Sequence, residues 1–225
     1  MRILALDTST EFCSVAVSID GQILDRSESG NRHAERILSL VEALLAEAGV
    51  SLKQLDAIAF GRGPGSFTGL RIGAGVAQGL AFGAGLPVVP VSSLATLAQG
   101  VDAPRVLAAL DARMNQVYWG SFRRNPQGLV EPVGEECVAD PDTVPLPEGG
   151  DWTGAGSGWD VCHAALARRA GTQLRDWRRQ QWPHARAMLE LARAAVQAGQ
   201  TVSPEQAIPV YLRDNVAVKP AKVLS

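Results

Sequence analysis

Hydrophobic and polar positions at the start of the chain predict three strands. Residues 3–6 form a continuous apolar run, and residues 13–20 alternate apolar and polar side chains with the period of two that is typical of a half-buried strand. Asp20-Gly21 is a strong hairpin turn, after which residues 22–27 return as a third strand. The pattern therefore predicts one strand followed by a hairpin.

Helices and strands then alternate along the chain. Apolar residues fill more than one stripe between Asn31, a suitable N-cap, and Gly49, a suitable stop, which predicts a helix covered on two sides. The elements predicted after it are a strand at residues 56–60, a helix at 68–83, a strand at 86–91 and a helix at 93–99. This alternation favours parallel strand pairing with right-handed crossovers.

The second half of the chain begins like the first. Residues 2–7 and residues 105–111 are both apolar runs that end in an aspartate, and a polar turn and an alternating strand follow each of them. We interpret this similarity as two related α/β lobes, residues 1–101 and residues 102–225. Chance similarity between two strand–turn–strand segments is the alternative.

The predicted second lobe continues with two helices. A glycine-rich turn at residues 151–159 leads into a helix that ends near residue 170. Pro183 opens an amphipathic helix that Gly199 stops. The tail from about residue 214 is expected to be irregular.

Composition narrows the class of protein. The chain has 225 residues and a formal net charge of -2, which gives no general electrostatic footprint for nucleic acid. Three widely spaced cysteines, Cys13, Cys137 and Cys162, fit neither a disulfide framework nor a metal site. No apolar run approaches the length of a membrane span, and the first residues do not resemble a signal peptide. We therefore expect a soluble cytoplasmic protein.

Polar residues at the ends of two strands are candidates for nucleotide binding. Asp7 and the three hydroxyl residues after it could hold a magnesium-bound phosphate, and a turn that caps the hairpin is the alternative. Asp111 occupies the matching place in the second lobe, and the later glycine turn could approach a nucleoside or form a plain tight turn. The candidate residues are Asp7, Thr8, Ser9, Thr10, Asp111, Gly154, Gly156 and Gly158.

The glycine-rich block at residues 61–73 joins a strand to a helix, as phosphate-binding loops do. A Walker A loop needs a lysine after its last glycine, but no lysine occurs between Lys53 and Lys219. The spacing of its glycines does not match the dinucleotide fingerprint either. We interpret Ser66 and Thr68 as hydroxyl groups that bond the N-terminus of the following helix.

The three histidines do not indicate a metal site. His33, His163 and His184 lie too far apart in sequence to form a metal-binding pair on one helix. We expect His33 and His184 at the surface or at helix caps. The sequence therefore predicts no metal ligands.

Gly75, Gly79 and Gly83 recur at every fourth position of the second predicted helix. Each costs about 1 kcal/mol in a helix interior relative to alanine, so we expect another element to approach this backbone closely. The sheet or first helix of the same lobe could do so, and so could a helix of another chain.

Four motifs together resemble the bacterial TsaB family, also called YeaZ. They are Asp7-Thr8-Ser9-Thr10, Gly63-Pro64-Gly65-Ser66-Phe67-Thr68-Gly69-Leu70-Arg71, Asp111-Ala112-Arg113 and Pro209-Val210-Tyr211-Leu212-Arg213. The resemblance implies the actin-like, sugar-kinase-like (ASKHA) ATPase fold, an α/β fold with two related lobes of mixed sheets flanked by helices. It also implies a role in making N6-threonylcarbamoyladenosine (t6A) at position 37 of tRNA.

The same resemblance implies a non-catalytic partner and activator of TsaD, the protein that transfers the threonylcarbamoyl group. TsaE would be a further partner, tRNA would bind only through the complex, and no cofactor would be required, although ATP or ADP could bind in the cleft. TsaD-like proteins hold a metal through two histidines, and the matching positions here are Ser93 and Leu97. The alternative is an ATP-hydrolysing or phosphotransfer enzyme that uses Asp7 and Asp111.

The resemblance places the partner surface on the first two helices, at about residues 32–48 and 68–83. These helices would pack against the equivalent pair of TsaD or against a second copy of this chain. The predicted partner-binding residues are Ile37, Leu38, Val41, Leu45, Leu70, Ile72, Gly75, Val76, Gly79 and Gly83.

Overall fold

The computed structural model describes residues 1–30 and 32–213. Its strands are β1 (Ile3–Asp7), β2 (Phe12–Ile19), β3 (Gln22–Ser29), β4 (Ala57–Gly63), β5 (Val88–Ser92), β6 (Arg105–Asp111), β7 (Val117–Arg124), β8 (Val130–Pro132), β9 (Cys137–Ala139), β10 (Trp152–Ala155) and β11 (Leu174–Arg178). Its α-helices are α1 (His33–Glu47), α2 (Phe67–Ala84), α3 (Ser93–Gln99), α4 (Ser157–Ala170) and α5 (Ala185–Gln197).

The two sheets repeat one topology. The first has the strand order β3-β2-β1-β4-β5, and the second has the order β8-β7-β6-β10-β11, with β9 added beside β7. In each sheet the first three strands pair antiparallel and the last two pair parallel. The predicted fold with two related lobes is therefore confirmed, and the chain has the actin-like α/β fold, whereas the bounds 1–101 and 102–225 stay a prediction.

Two helices cross between the lobes and hold them together. Helix α3 follows β5 of the first sheet, but its Leu94 and Leu97 pack in a core with Phe122 of the second sheet. Helix α5 follows β11 of the second sheet, and its Met188 packs in a core with Val89 of the first sheet. The chain therefore passes between the lobes more than once. Helix α3, which follows the first sheet, covers the second sheet, and helix α5, which follows the second sheet, covers the first.

The element boundaries differ slightly from the predicted ones. Strand β4 continues to Gly63, inside the glycine block, and helix α5 begins at Ala185 rather than at Pro183. The predicted cap Asn31 and the predicted tail from residue 214 lie outside the described residues. No helix within those described residues combines the length and the apolar character needed to cross a membrane.

Candidate functional site

A cleft of about 850 Å³ lies between the lobes. Its walls come from the turn after β1, the N-terminus of α2, the turn after β6 and the N-terminus of α4. Ser9 and Thr10 line the side of the first lobe, and Asp111 and Ser157 line the side of the second. The fold therefore brings the two predicted aspartate turns to one cleft, as the duplicated sequence pattern requires.

Asp7 is buried behind the wall of this cleft. Its Oδ1 accepts hydrogen bonds from the Ser9 N–H at 2.8 Å and from the Ser9 hydroxyl at 2.6 Å. Its Oδ2 has no hydrogen-bond partner in the part of the chain that the structure describes. Burial raises the pKa of Asp7 to about 6, and the two hydrogen bonds from Ser9 lower it by less. The Asp7 carboxyl therefore does not line the cleft in this structure.

The glycine block closes over the first turn. Cβ atoms added to Gly61, Gly65 and Gly69 would overlap Asp7, Ser9 and Thr8, respectively. One added to Gly73 would lie 2.6 Å from the Thr8 Oγ1. The block is thus glycine-rich where it packs directly on the turn after β1.

Hydrogen bonds fix this contact. The Ser66 N–H donates to the Ser9 carbonyl at 2.7 Å, and the Thr8 hydroxyl donates to the Gly69 carbonyl at 2.7 Å. Ser66 is the N-cap of α2, as predicted, because its Oγ accepts from the Gly69 N–H at 3.3 Å. Thr68 lies in the first turn of α2 and lines the cleft. The hydroxyl of Thr8 and the carbonyl of Ser9 are therefore engaged within the lobe.

The second turn is more open. Asp111 Oδ1 accepts from the Arg113 N–H at 2.8 Å, and its Oδ2 lies 3.1 Å from the Arg113 guanidinium. The Asp111 N–H donates to the hydroxyl of Ser157 at the start of α4. Arg113, Met114 and Asn115 all have left-handed backbone angles, with φ of 60°, 54° and 56°. Asp111 therefore supports a tight turn and also faces the cleft.

The glycines of the 154–158 turn are buried by packing. A Cβ on Gly154 would lie 2.5 Å from the Trp159 ring, and one on Gly158 would lie 2.8 Å from the Ala109 Cβ. Gly156 has φ of 109° and would meet the Ala109 carbonyl. Trp159 donates its indole N–H to the carbonyl of a β6 residue, Leu107, at 2.8 Å. This turn therefore packs Trp159 against β6.

The predicted nucleotide-binding residues consequently separate into two groups. Those that line the cleft are Ser9, Thr10 and Asp111. Those that lie behind its walls are Asp7, Thr8, Gly154, Gly156 and Gly158. The second group was chosen because the residue types suit phosphate or nucleoside binding, but the same types also suit close backbone packing.

The predicted glycine row of α2 is exposed. Cβ atoms on Gly75, Gly79 and Gly83 would meet nothing within 4 Å. Packing inside the lobe therefore does not account for these three glycines. Phe82, on the same helix, is 73% exposed, and Leu38 of α1 is 47% exposed.

Three of the predicted partner-binding residues are instead in the core. Ile37 and Val41 are buried with the side chains of the first sheet, and Leu70 is also buried. Helix α1 buries one stripe of its apolar residues within the lobe, whereas Leu38 remains exposed and Leu45 is half-buried. Some of the apolar residues of α1 that were predicted to bind a partner therefore pack instead on the sheet of their own lobe. The remaining predicted residues are exposed or half-buried, and they are Leu38, Leu45, Ile72, Gly75, Val76, Gly79 and Gly83.

His33 was expected at the surface or at a helix cap, and it is the buried first residue of α1, so the surface alternative is wrong. Its Nε2 lies 2.9 Å from the Thr10 carbonyl, which joins the start of α1 to the first turn. Ser93 and Leu97 of α3 are also buried, and Leu97 packs in a core of the second sheet. Residues 1–30 and 32–213 contain no group of three or more His, Cys, Asp or Glu side chains that could hold a metal ion.

Sequence reasoning missed an aromatic cluster beside the glycine row. Phe67 and Tyr211 have ring centroids 5.4 Å apart, and the Arg71 guanidinium lies 3.7 Å from the Phe67 centroid. The Arg71 Nε–H also donates to the Tyr211 hydroxyl at 3.1 Å. Phe67, Arg71 and Tyr211 all belong to motifs that carried the family resemblance, but neither sequence spacing nor periodicity brings residue 211 to α2.

Comparisons with known proteins agree with one another. The family model of TsaD, tRNA N6-adenosine threonylcarbamoyltransferase, matches residues 27–221. The tRNA threonylcarbamoyladenosine biosynthesis protein TsaB of Escherichia coli K12 is 46% identical over 97% of both chains. TsaB of Haemophilus influenzae is 39% identical over 97% of this chain and 96% of the relative.

A solved structure extends the match to the fold. YeaZ from Pseudomonas aeruginosa is 48% identical and superposes with a TM-score of 0.87, over 94% of this chain and 99% of that chain. Sequence and structure therefore match over nearly the whole length of the relatives. The chain belongs to the TsaB family, also called YeaZ.

Proposed function

We propose that this chain acts in the cytoplasm in t6A formation at position 37 of tRNA, as a non-catalytic partner and activator of TsaD. Its TsaB relatives carry the name of tRNA threonylcarbamoyladenosine biosynthesis, and they match 97% of this chain. The observation that carries the proposal is the exposed glycine row of α2. A catalyst would need reactive groups in the cleft, whereas a partner needs an accessible docking face.

The glycine row favours close contact with a helix of another chain. Glycine costs about 1 kcal/mol per position in a helix interior, and nothing within this chain packs on Gly75, Gly79 or Gly83. Small residues let two helix backbones approach closely, which increases dispersion contacts over the whole interface. An approaching helix of a partner would use this space and cover Phe82 as well.

The exposed apolar side chains concentrate around the same face. Among the described residues, eight large hydrophobic side chains are exposed, and they include Leu38, Phe67, Phe82, Ile208 and Tyr211. These five lie on α1 or α2 or in the segment that runs beside α2. Such a concentration is typical of a protein-binding surface rather than of scattered apolar residues.

TsaD is the partner that fits this face best. The TsaD family model matches residues 27–221 of this chain, a range that includes both α1 and α2, so a TsaD-family protein has a counterpart of this segment. Two related chains can pair through equivalent surfaces in the way that two copies of one chain form an isologous dimer. A homodimer of this chain would use the same face and would compete with TsaD. TsaE and tRNA would join through the TsaD complex.

The cleft supports the non-catalytic assignment. Asp7 is buried behind the wall, and the positions that the family resemblance matches to the metal-binding histidines of TsaD are the buried Ser93 and Leu97. An enzyme that uses ATP through Asp7 and Asp111 is the alternative, and Asp111 at the cleft is the observation that favours it. ATP or ADP binding in this cleft stays a prediction, to be tested by calorimetric titration of the purified chain.

Gly79→Leu tests the proposed function directly. The larger side chain should prevent close approach of a partner helix, so the variant should fail to bind purified TsaD and should not support t6A formation with TsaD and TsaE. Ala164→Leu, at an exposed position of α4 in the other lobe, is the matched control and should behave like the wild type. Binding of TsaD by Gly79→Leu with wild-type affinity would refute the proposed docking face.

A further inference from the structure

Residues 207–213 run back along α2 towards its N-terminus, and we call them the C-terminal strap. The Gln78 side chain of α2 donates to the Ala207 carbonyl at 3.1 Å. The Val210 N–H donates to the carbonyl of Arg62 at 2.7 Å, at the end of β4. The strap's backbone is therefore hydrogen-bonded to the first lobe at two places, once by a side chain and once by a carbonyl group.

The approach of the strap to β4 requires a glycine. Gly63 has φ of 111°, and a Cβ there would lie 2.7 Å from the Val210 carbonyl. A side chain at this position would push the strap away from β4. The close approach leaves the strap lying beside the exposed face of α2.

Two side chains of the strap remain uncovered. Ile208 is 63% exposed and Tyr211 is 41% exposed, although Tyr211 already packs against Phe67. Because Gln78 and Arg71 of α2 contact the strap, these side chains border the row that begins at Gly75. A helix that packed on the glycine row would therefore lie next to the strap.

The far end of the strap reaches the second lobe. The Arg213 guanidinium donates to the Gln116 Oε1 at 2.6 Å and to the Met114 Sδ at 3.6 Å. Met114 is one of three consecutive left-handed residues in the turn after β6, and it lines the cleft. One short segment thus contacts both the α2 side and the opposite wall of the cleft.

We propose that the C-terminal strap is the third wall of the partner-binding face and that it links partner binding to the turn at residues 111–116. The partner is a TsaD-family helix packed on the glycine row, so this inference rests on the proposed function. Such a helix covers Ile208 and Tyr211, which stabilises the strap in its position beside α2. In that position the Arg213 guanidinium stays hydrogen-bonded to the Gln116 side chain, and this contact orders the turn.

Ile208→Ser tests the third wall. The variant loses apolar area at an exposed position, so its fold should persist while its dissociation constant for purified TsaD rises about tenfold. Val161→Ser is the matched control, because Val161 is also a highly exposed apolar residue but lies on α4. An Ile208→Ser chain that binds TsaD as tightly as the control would overturn this part of the proposal.

Hydrogen exchange at residues 112–118 tests the link to the cleft. Binding of TsaD should slow exchange of these amides in the wild type. The slowing should be lost in Arg213→Ala and in Gln116→Ala, which remove opposite ends of the same contact, when each variant is measured at saturating TsaD. Unchanged exchange in the wild type, or slowing that persists in both variants, would overturn the link. Failure of Gly79→Leu to weaken TsaD binding would instead reject the proposed function itself.

Discussion

The backbone N–H of Ser66 donates to the carbonyl oxygen of Ser9 at 2.7 Å, which joins the N-cap of α2 to the turn after β1. In a phosphate-binding loop, the corresponding N–H groups would point at a ligand. Here the first lobe's own hairpin takes that position. The same helix therefore carries two kinds of glycine, which face the hairpin on one side and open space on the other.

Alanine substitutions at Gly69 and Gly75 should have opposite effects on stability. A Cβ at Gly69 would overlap the Thr8 carbonyl, which is backbone and cannot move aside, so Gly69→Ala should destabilise the fold by about 2–4 kcal/mol. A Cβ at Gly75 would meet nothing within 4 Å, so Gly75→Ala should stabilise the isolated chain by about 1 kcal/mol. Urea unfolding of both variants measures the difference.

The pair of variants is its own control because both changes add one methyl group to the same helix. Equal destabilisation by both would mean that the exposed row is packed within the isolated chain. No destabilisation by Gly69→Ala would mean that α2 does not press on the first turn.

The sequence predicted the fold well because the fold depends on patterns that repeat. Apolar runs that end at Asp7 and Asp111, each followed by an alternating strand, indicated two related lobes, and the matching strand orders of the sheets confirm them. The start of helix α2 could be placed because the Ser66 hydroxyl was available to bond its first N–H groups. Local signals of this kind do not depend on tertiary contacts.

The site was harder to predict because residue type does not reveal which way a side chain or a glycine faces. Gly69 and Gly75 are indistinguishable in sequence, yet one packs on a carbonyl and the other faces open space. Ile37 and Leu38 are neighbours on α1, but only one is exposed. The contact between Arg71 and Tyr211 spans 140 positions and follows no sequence period.

Asp111→Ala should leave t6A formation nearly unchanged. In the proposed function Asp111 only supports a turn through its bonds to the Arg113 N–H and guanidinium. The variant should lose about 1–2 kcal/mol of stability and keep activity within about threefold of the wild type in a reconstituted assay with TsaD and TsaE. A catalytic carboxylate would give a loss of about a hundredfold or more. Such a loss, with TsaD binding intact, would support the ATP-using alternative.

Phe82→Ser should weaken self-association and TsaD binding together. Phe82 is 73% exposed beside the glycine row, so a partner helix that covers the row would also bury this ring. The dissociation constants of both complexes should rise by about tenfold or more, because a buried aromatic side chain is a common anchor of interfaces. Sedimentation equilibrium measures the first constant, and titration with TsaD measures the second. A change in only one of the two would show that the faces are different.

The buried carboxyl of Asp7 should make stability depend on pH in an unusual direction. Its pKa is about 6 in the folded chain and 3.8 for an ordinary aspartate, so the folded chain keeps a proton that the unfolded chain releases between these values. Stability should therefore fall as pH rises from about 4 to 6, by about 3 kcal/mol from this group, and then level off.

Asp7→Asn separates this effect from other titrations. The amide carbonyl can still accept from Ser9 but has no proton to release, so the fall in stability between pH 4 and 6 should shrink. Burial also raises the pKa of Glu136, and that group contributes in the same direction, so Glu136→Gln serves as the reference variant. Urea unfolding at several pH values gives the curves. Parallel curves for the wild type and Asp7→Asn would mean that Asp7 is already ionised in the folded chain at low pH.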